Sequence, residues 1–342
     1  MTQARLECLI MKHASASPAV DVVGVGINAT DTIIRLPSFP TPDSKTEVLS
    51  AEVSAGGQVA SAMIACRRWG VAVRYVGKIG DDLAGRLQQS EMEREGVEAH
   101  WLIARGSHSQ SAFILVDQAS GERTILWKRD PNIALHPEDL ERQWISGARV
   151  LLVDGHDTEA AAQAADWARQ ESIPVVGDFD NLYSHVEVLL HRVDFPVTSK
   201  AFPEKLTGET NLLKSLPRIA CEFKCRVIAT TLGRLGVLAW NGREFLLSPG
   251  FRVDAVDTTG AGDIFHAGFV YGLIGGWPLQ EILEFSNAAA ALNCTGPGAR
   301  GHIASLGEIE RTRSTGERSE LAYTEEVLRD LARAARRAGA GP

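Results

Sequence analysis

The stretch from Asp257 to Asp263 has the sequence Asp-Thr-Thr-Gly-Ala-Gly-Asp, which places a carboxylate directly after a turn of small residues. The preceding residues, 251–256, alternate in polarity and predict a strand, whereas the apolar run at 264–274 predicts a buried helix. Backbone N–H groups at a helix N-terminus are unpaired and lie at the positive end of the helix dipole. The turn therefore predicts an anion site, and glycine at 260 and 262 lets an anion approach the backbone closely.

The chemistry that this arrangement predicts is phosphoryl transfer to an alcohol. Asp263 would meet a nucleophilic hydroxyl as a general base, while the amides of Gly260, Ala261 and Gly262 would hold the charge on the transferred group. The same local pattern also fits an aspartate that only caps the helix. The stretch by itself leaves both interpretations open.

The elements upstream of this turn predict a ligand site at the carboxyl end of a sheet. Residues 20–26 form a near-continuous apolar run, which is typical of a strand buried on both faces of a parallel sheet. Gly24, Gly26 and Ala29 match a dinucleotide-binding fingerprint, but that motif must open a helix, and residues 30–36 are β-branched instead. Polar residues that follow a buried strand are candidates for ligand binding.

Short β-rich segments interrupt the alternation of strands and helices and predict a small inserted sheet. These segments are 32–36, 47–53, 112–117 and 123–127. From residue 150 onward the alternation resumes, with predicted strands at 150–153, 174–176, 226–231 and 237–240 and a helix at 158–171. A mostly parallel α/β domain carrying a small extra sheet follows from this order.

Several motifs in this order resemble the PfkB family of ribokinase-like carbohydrate kinases. They are Gly24 to Pro40, Gly56-Gly57 with the small-residue helix after it, Gly77 to Asp82, Thr230 to Gly236, Asp257 to Asp263, Ala288 to Ala291, and Gly296 to Ala299. The resemblance implies an ATP-dependent sugar kinase with a ribokinase-like three-layer sandwich and a β-sheet lid. The runs 109–112, 121–123 and 257–266 most resemble the sulfofructose kinase branch.

The resemblance also implies where the two substrates bind. Asn28 and Asp31 would bond sugar hydroxyls beside Gly56 and Gly57, and Ser61 stands where the family commonly has Asn. The ATP site would comprise Thr231, Gly233, Gly236 and, next to the adenine, Asn287. From the residues alone, Asn28 and Asp31 also fit a turn that bonds its own backbone, although ligand binding is the favoured interpretation.

Metal sites are implied less directly. Five residues match a monovalent-cation site that many relatives have, and K⁺ is the candidate ion. They are Asp257, Thr259, Cys294, Pro297 and Ala299. Mg²⁺ is expected with ATP, but Ser199 and Phe202 stand where the family usually has the Asn and Glu linked to magnesium. Its ligands therefore cannot be carried over from the family.

Composition supports a cytoplasmic enzyme. The net charge is −8, which argues against a general nucleic-acid binder, and no apolar run approaches the roughly 18 residues of a membrane span. The N-terminus lacks the pattern of a signal peptide. The cysteines at 221 and 225 lack a second pair of metal ligands, so buried small apolar residues in a reducing compartment are the prediction.

We predict a flexible extension at 1–18, a kinase domain at 19–310 with its lid at about 31–54 and 109–128, and a polar tail at 311–342 containing a helix at 325–337. The lid is expected to form a homodimer interface. Two alternatives stay open: a nucleoside kinase with the same catalytic residues, and a catalytically silent sugar- or nucleotide-binding regulator, suggested by the missing Asn/Glu pair.

Overall fold

The structure is a computed structural model that describes residues 20–119 and 123–319. The predicted extension at 1–18 and the predicted helix at 325–337 lie outside the described residues. Among the helices that are described, none combines the length and the apolarity needed to cross a bilayer.

Two sheets make up the β-structure. The strands are β1 (Val22–Val25), β2 (Ala29–Leu36), β3 (Ser50–Gly56), β4 (Val73–Gly80), β5 (Glu98–Ala104), β6 (Ser111–Asp117), β7 (Arg123–Lys128), β8 (Val150–Asp154), β9 (Val175–Phe179), β10 (Phe195–Thr198), β11 (Ile228–Thr231), β12 (Val237–Trp240) and β13 (Phe245–Ser248). The large sheet has the order β13-β12-β11-β10-β9-β8-β1-β4-β5. Its strands pair in parallel except at β12 and β13, which pair antiparallel.

Helices cover both faces of the large sheet. They are α1 (Gln58–Arg68), α2 (Leu83–Arg94), α3 (Arg142–Ile145), α4 (Thr158–Gln170), α5 (Val186–Leu190), α6 (Phe202–Thr207), α7 (Leu212–Phe223), α8 (Ala261–Ile274), α9 (Leu279–Asn293) and α10 (Leu306–Thr315). The neighbouring residues Val22 and Val23 of β1 are fully buried in two different apolar clusters, one on each face. This doubly covered sheet is the predicted three-layer sandwich.

The smaller sheet is the predicted lid, with the order β3-β2-β6-β7. Its inner face is apolar and buried, since Ile33 and Ile114, which pair across β2 and β6, are 4% and 2% exposed. The next cross-strand row of side chains points outward. It contains Val53, Phe113 and Leu126, which are at least half exposed. The lid therefore covers the main domain with one apolar face and exposes another.

The strand predicted at 251–256 is wrong. Only Phe251 forms an isolated bridge, to Arg318, and the rest of the segment is irregular. Its amides bond to loops distant in sequence: Arg252 N donates to the Glu317 carbonyl at 2.8 Å, and Val256 N donates to the Cys294 carbonyl at 2.8 Å. The alternation in sequence does not correspond to alternating burial, because only Phe251 of this segment joins the apolar core and residues 251–255 all line a cavity.

Candidate active site

The Gly-rich turn begins helix α8 in a conformation that requires glycine. Gly260 is the N-cap residue with φ +74°, and a Cβ there would lie 2.0 Å from the Ala299 carbonyl oxygen. The Ile264 amide donates to the Gly260 carbonyl at 3.0 Å, which starts the helix. Gly262 has open space where a Cβ would stand. The first turn of the helix thus presents amides toward open space.

Asp263 is the third residue of α8 and is half-buried. It is not the helix cap, because that position is Gly260 and no side chain makes a capping hydrogen bond. Burial raises the pKa of Asp263 well above its usual value, and the nearby carboxylate of Asp178 raises it further, while His266 opposes the shift. A carboxylate with a raised pKa at a helix N-terminus is suited to accept a proton.

Beside Asp263 lies a buried pair formed by Asp178 and His266. Asp178 Oδ2 is 3.4 Å from His266 Nδ1, and both side chains are less than a tenth exposed. The His266 ring nitrogens also lie 2.7 Å from the Gly262 carbonyl oxygen and 3.3 Å from the Val197 carbonyl oxygen. Burial raises the pKa of Asp178 and lowers that of His266, so burial favours the neutral form of each.

The predicted acceptor residues come together at the root of the lid. Asn28 is 5% exposed, its Oδ1 accepts from the Ala29 amide at 3.0 Å, and its Nδ2 has no partner among the described residues. A Cβ at Gly57, whose φ is +90°, would lie 2.6 Å from the Asn28 Cα. A Cβ at Gly56 would lie 2.2 Å from Asp31 Oδ2. The paired glycines are therefore required because the chain packs directly against Asn28 and Asp31.

Asp31 has an unusual electrostatic environment for a carboxylate. It is 6% exposed, and burial raises its pKa to about 6, with the Arg300 guanidinium lowering it and Asp257 raising it. Ser61, by contrast, is completely buried, and its Oγ accepts from Arg300 Nε at 3.2 Å. Arg300 carries no local sequence signal for this site, because its partners are more than 200 positions away in the chain.

A cavity of about 920 Å³ lies on the other side of the Gly-rich turn. It is lined by Thr231, Gly233, Gly236 and Asn287, the residues predicted for ATP, and by Ala261 and Gly262 of the turn. Asn287 Nδ2 donates to the Ser248 carbonyl and to Ser248 Oγ, both at 2.9 Å, which fixes its amide on strand β13. The volume is within the usual range for a nucleotide-sized ligand.

Arg234 and Leu235, which lie within the predicted loop from Gly233 to Gly236, also line the cavity. Further lining residues carry no sequence prediction for the nucleotide: Gly250, Phe251, Arg252, Val253, Asp254, Ala255, Thr258, Phe265, Ala290, Ala291, Glu317 and Ser319, with Cys294, which was predicted for another role. Glu317 and Ser319 follow helix α10, and Ser319 N donates to the Gly250 carbonyl at 2.8 Å. No local motif marks this return of the chain, so it could not be found from sequence.

The residues predicted for a monovalent cation lie in two adjoining loops. Asp257 Oδ1 accepts from the Thr259 amide at 2.8 Å and from Thr259 Oγ1 at 2.7 Å, and its Oδ2 accepts from the Gly298 amide at 2.9 Å. The Cys294 carbonyl accepts from the amides of Val256 and Asp257. Pro297 and Ala299 belong to the same loop as Gly298, so the five predicted residues are brought together.

The positions expected to serve magnesium do not fit that role. Phe202 is completely buried, with its ring centroid 5.3 Å from that of Phe179. Ser199 Oγ donates to the Asp180 carbonyl at 2.7 Å. Within residues 20–119 and 123–319, no group of three or more His, Cys, Asp or Glu side chains is arranged to hold a metal ion. The Asp180 carboxylate is exposed and raises the pKa of Asp263.

A doubly covered, mostly parallel sheet with a small separate sheet, a nucleotide-sized cavity and a Gly-rich helix start together fit the class of ribokinase-like kinases. Residues 20–305 match the family model described as the pfkB family carbohydrate kinase, and the chain belongs to that family. The protein is therefore a carbohydrate kinase, as the sequence predicted.

The chain is similar over most of its length to curated kinases. It is 30% identical to the ribokinase of Haemophilus influenzae over 81% of this chain and 92% of that protein. It is 28% identical to the ATP-dependent ribose-1-phosphate kinase of Halopiger xanaduensis over 82% of this chain and 94% of that protein. The crystal structure of ribokinase from Thermotoga maritima superposes with a TM-score of 0.77 at 25% identity, covering 86% of this chain and all of that one. The closer resemblance to sulfofructose kinases stays a prediction.

Proposed function

We propose that this kinase transfers the γ-phosphoryl group of ATP to a hydroxyl of a sugar or sugar derivative, with Asp263 as the general base. The observation that carries the proposal is that Asp263 directly follows Ala261 and Gly262, two residues that line the cavity assigned to ATP. Its pKa is raised by burial and by Asp178, which makes it a stronger base than an ordinary aspartate. The same carboxylate also feels the charge of Asp31, so the two sites are within electrostatic reach of each other.

In this mechanism, the acceptor hydroxyl bonds to Asp263 and loses its proton to that carboxylate as the new O–P bond forms. The amides of Gly260, Ala261 and Gly262 hold the negative charge on the transferred group. Asn28 and Asp31 orient the sugar, with the unpaired Nδ2 of Asn28 supplying a donor and Asp31 supplying an acceptor. Orientation contributes because a loosely held hydroxyl would meet the phosphorus less often.

ATP is assigned to the 920 Å³ cavity, with its adenine near Asn287 and its phosphates toward Thr258 and Gly262. Arg123 of lid strand β7 donates to Thr258 Oγ1 and so connects the lid to the phosphate end of the cavity. This contact supports a lid that excludes water during transfer.

Ions complete the proposed site. A magnesium ion entering with ATP would be held mainly by the phosphates, with the exposed Asp180 carboxylate available to its water ligands, and would offset phosphate charge. A monovalent cation such as K⁺ fits the loops that carry Asp257 and the carbonyls of Thr259, Cys294 and Ala299. Hydrogen bonds to Asp257 outweigh the opposing effect of burial and keep its pKa below the usual value, so it is ionised at neutral pH.

We further propose that the protein is a homodimer through the outer face of the lid. That face carries Val53, Phe113 and Leu126, which are 62%, 50% and 54% exposed. Exposed apolar rows on a small sheet usually mark an interface. A second copy of the same sheet would match the apolar character of this face.

The test is ADP release by the purified protein with ATP and magnesium across pentoses, hexoses, ketose phosphates, sulfofructose and nucleosides, each with and without K⁺. A sugar as the strongest acceptor is the expected result and also gives the substrate. A nucleoside as the strongest acceptor would instead identify the protein as a nucleoside kinase. ATP binding without ADP release on any acceptor would favour the silent regulator.

A further inference from the structure

Arg300 follows the loop of Pro297 to Ala299 and contacts the residues that surround the proposed acceptor site. Its guanidinium makes three hydrogen bonds: Nε donates to Ser61 Oγ at 3.2 Å, Nη1 to Glu91 Oε2 at 2.6 Å, and Nη2 to the Gly56 carbonyl at 2.9 Å. Its side chain is 9% exposed. A buried arginine with this many directed bonds holds its partners in a single geometry.

The three partners belong to three different elements. Gly56 ends lid strand β3, Ser61 lies in α1, and Glu91 lies in α2. Arg300 itself is next to Ala299, whose carbonyl oxygen packs on the Gly260 turn. The guanidinium therefore joins the lid root, the helix behind the acceptor site and the loop that supports the catalytic turn.

Building on the proposed function, we propose that Arg300 is a positioning residue of the acceptor site. It holds the Gly56-Gly57 turn, which packs against Asn28 and Asp31, by its bond to the Gly56 carbonyl. Its second bond goes to Ser61, which is fully buried, so the arginine itself is anchored in the interior.

Arg300 also sets the charge state of Asp31. The pKa of Asp31 is raised to about 6 by burial, lowered by Arg300 and raised by Asp257, while Asp263 feels the Asp31 charge in turn. Glu91 partly neutralises Arg300 through their ion pair. Removing the positive charge of Arg300 must therefore raise the pKa of Asp31. Removing the negative charge of Glu91 must lower the pKa of Asp31, because the guanidinium charge is then less compensated.

The experiment measures kcat/KM for the acceptor from about pH 5 to about pH 8, where the ionisation of Asp31 and of the proposed base Asp263 shapes the acid side of the profile. Both carboxylates interact with the charge of Arg300, so both shift in the same direction when that charge changes. The probe is D-ribose, or the sugar of the panel with the fastest ADP release if that is another. The variants are Arg300→Lys, which keeps the charge but cannot hold three partners at once, Arg300→Gln, which removes the charge, and Glu91→Gln. The matched control is Arg68→Lys, because Arg68 pairs with Glu95 at 2.8 Å and 2.9 Å at the ends of the same two helices.

The expected result for Arg300→Lys is an acceptor KM about tenfold higher, with the ATP KM changed less than about twofold. The acid limb of Arg300→Gln moves to higher pH and that of Glu91→Gln moves to lower pH, while Arg68→Lys changes neither the KM values nor the limb. If Arg300 had a purely structural role, its replacement would weaken the binding of acceptor and ATP together. It would not move the acid limbs of the Arg300 and Glu91 variants in opposite directions.

An unchanged acceptor KM in Arg300→Lys, or acid limbs of Arg300→Gln and Glu91→Gln that do not move in opposite directions, would overturn the proposal while leaving the kinase assignment intact. If the Arg300 variants fail to fold, the acid limb of Glu91→Gln decides: a shift to lower pH supports the proposal and no shift refutes it. A wild-type protein without kinase activity on the whole panel would overturn both the proposed function and this inference.

Discussion

Asp178 Oδ2 lies 3.4 Å from His266 Nδ1, and the two side chains act in opposite directions on the neighbouring Asp263. Burial raises the pKa of Asp263, the carboxylates of Asp178 and Asp180 raise it further, and His266 lowers it. Ionising these carboxylates together is unfavourable for folding unless a ligand or a proton offsets the charge. The site is therefore arranged for its bound state and not for maximal stability of the free protein.

Asp263→Asn is expected to lower kcat by about two to four orders of magnitude, because a proton acceptor is removed from the reacting hydroxyl. The same change is expected to raise Tm at pH 7. When a carboxyl group has a higher pKa in the folded protein than in the unfolded chain, the free energy of unfolding falls as the pH rises from the unfolded pKa to the folded pKa. Asparagine does not ionise, so the variant avoids this loss of stability. Steady-state kinetics and calorimetry check the two effects.

The control for this variant is Asp43→Asn, since Asp43 is exposed and its φ of +60° suits asparagine equally well. That substitution should leave both kcat and Tm unchanged. Normal turnover in Asp263→Asn would refute the base assignment, and a lowered Tm would refute the electrostatic account of its environment.

Gly262→Ala is expected to leave the fold intact while blocking the phosphate. A Cβ at this position meets nothing within 4 Å, and the residue lines the nucleotide cavity, so the methyl group would enter space assigned to the transferred group. We expect the ATP KM to rise at least about tenfold while stability is unchanged or higher by roughly 0.5–1 kcal/mol, the usual gain for alanine in a helix.

Gly307→Ala is the matched control for Gly262→Ala. Gly307 is likewise the second residue of a helix, α10, with nothing within 4 Å of its Cβ position. It should show the gain in stability without the loss of ATP affinity. Equal ATP KM values in both variants would show that the phosphates lie elsewhere.

Asp257→Asn is expected to raise the K⁺ concentration that gives half-maximal activation about tenfold, because the proposed cation site loses its ionised carboxylate. Asparagine still offers an oxygen to the Thr259 or Gly298 amide, so the fold should persist. The control is Asp81→Asn, which alters a carboxylate that accepts only from the Gly106 amide in an exposed turn. Kinetic titrations with KCl against LiCl measure the effect, and an unaltered K⁺ response would exclude Asp257 as a ligand.

Phe113→Lys is expected to convert a dimer into a monomer, since it places a charge in the outer apolar row of the lid. Val188→Lys is the control, because Val188 is 40% exposed on helix α5, away from the lid. Sedimentation equilibrium gives the mass of each. A monomeric wild-type protein, or a Phe113→Lys variant that remains dimeric, would contradict the proposed interface.

The sequence was informative where structure is local. The left-handed Gly260, the helix after it and the lid strands all follow from patterns within a few residues. Arg300 could not be found, because its role depends on Gly56, Ser61 and Glu91, which only the fold brings close. The segment from Phe251 was misassigned for the same reason: its backbone partners at 294 and 317 replace those of a neighbouring strand.

The pairing of β2 with β6 has a consequence for how the chain folds. These central lid strands are parallel, and a parallel pair cannot be joined by a tight turn. The intervening chain contains α1, β4, α2 and β5, so the lid closes only after that part of the large sheet has crossed over. Long-range pairing of this kind is slow to form. The lid is therefore expected to be among the last parts to gain protection from hydrogen exchange during refolding, and its apolar rows are exposed until then.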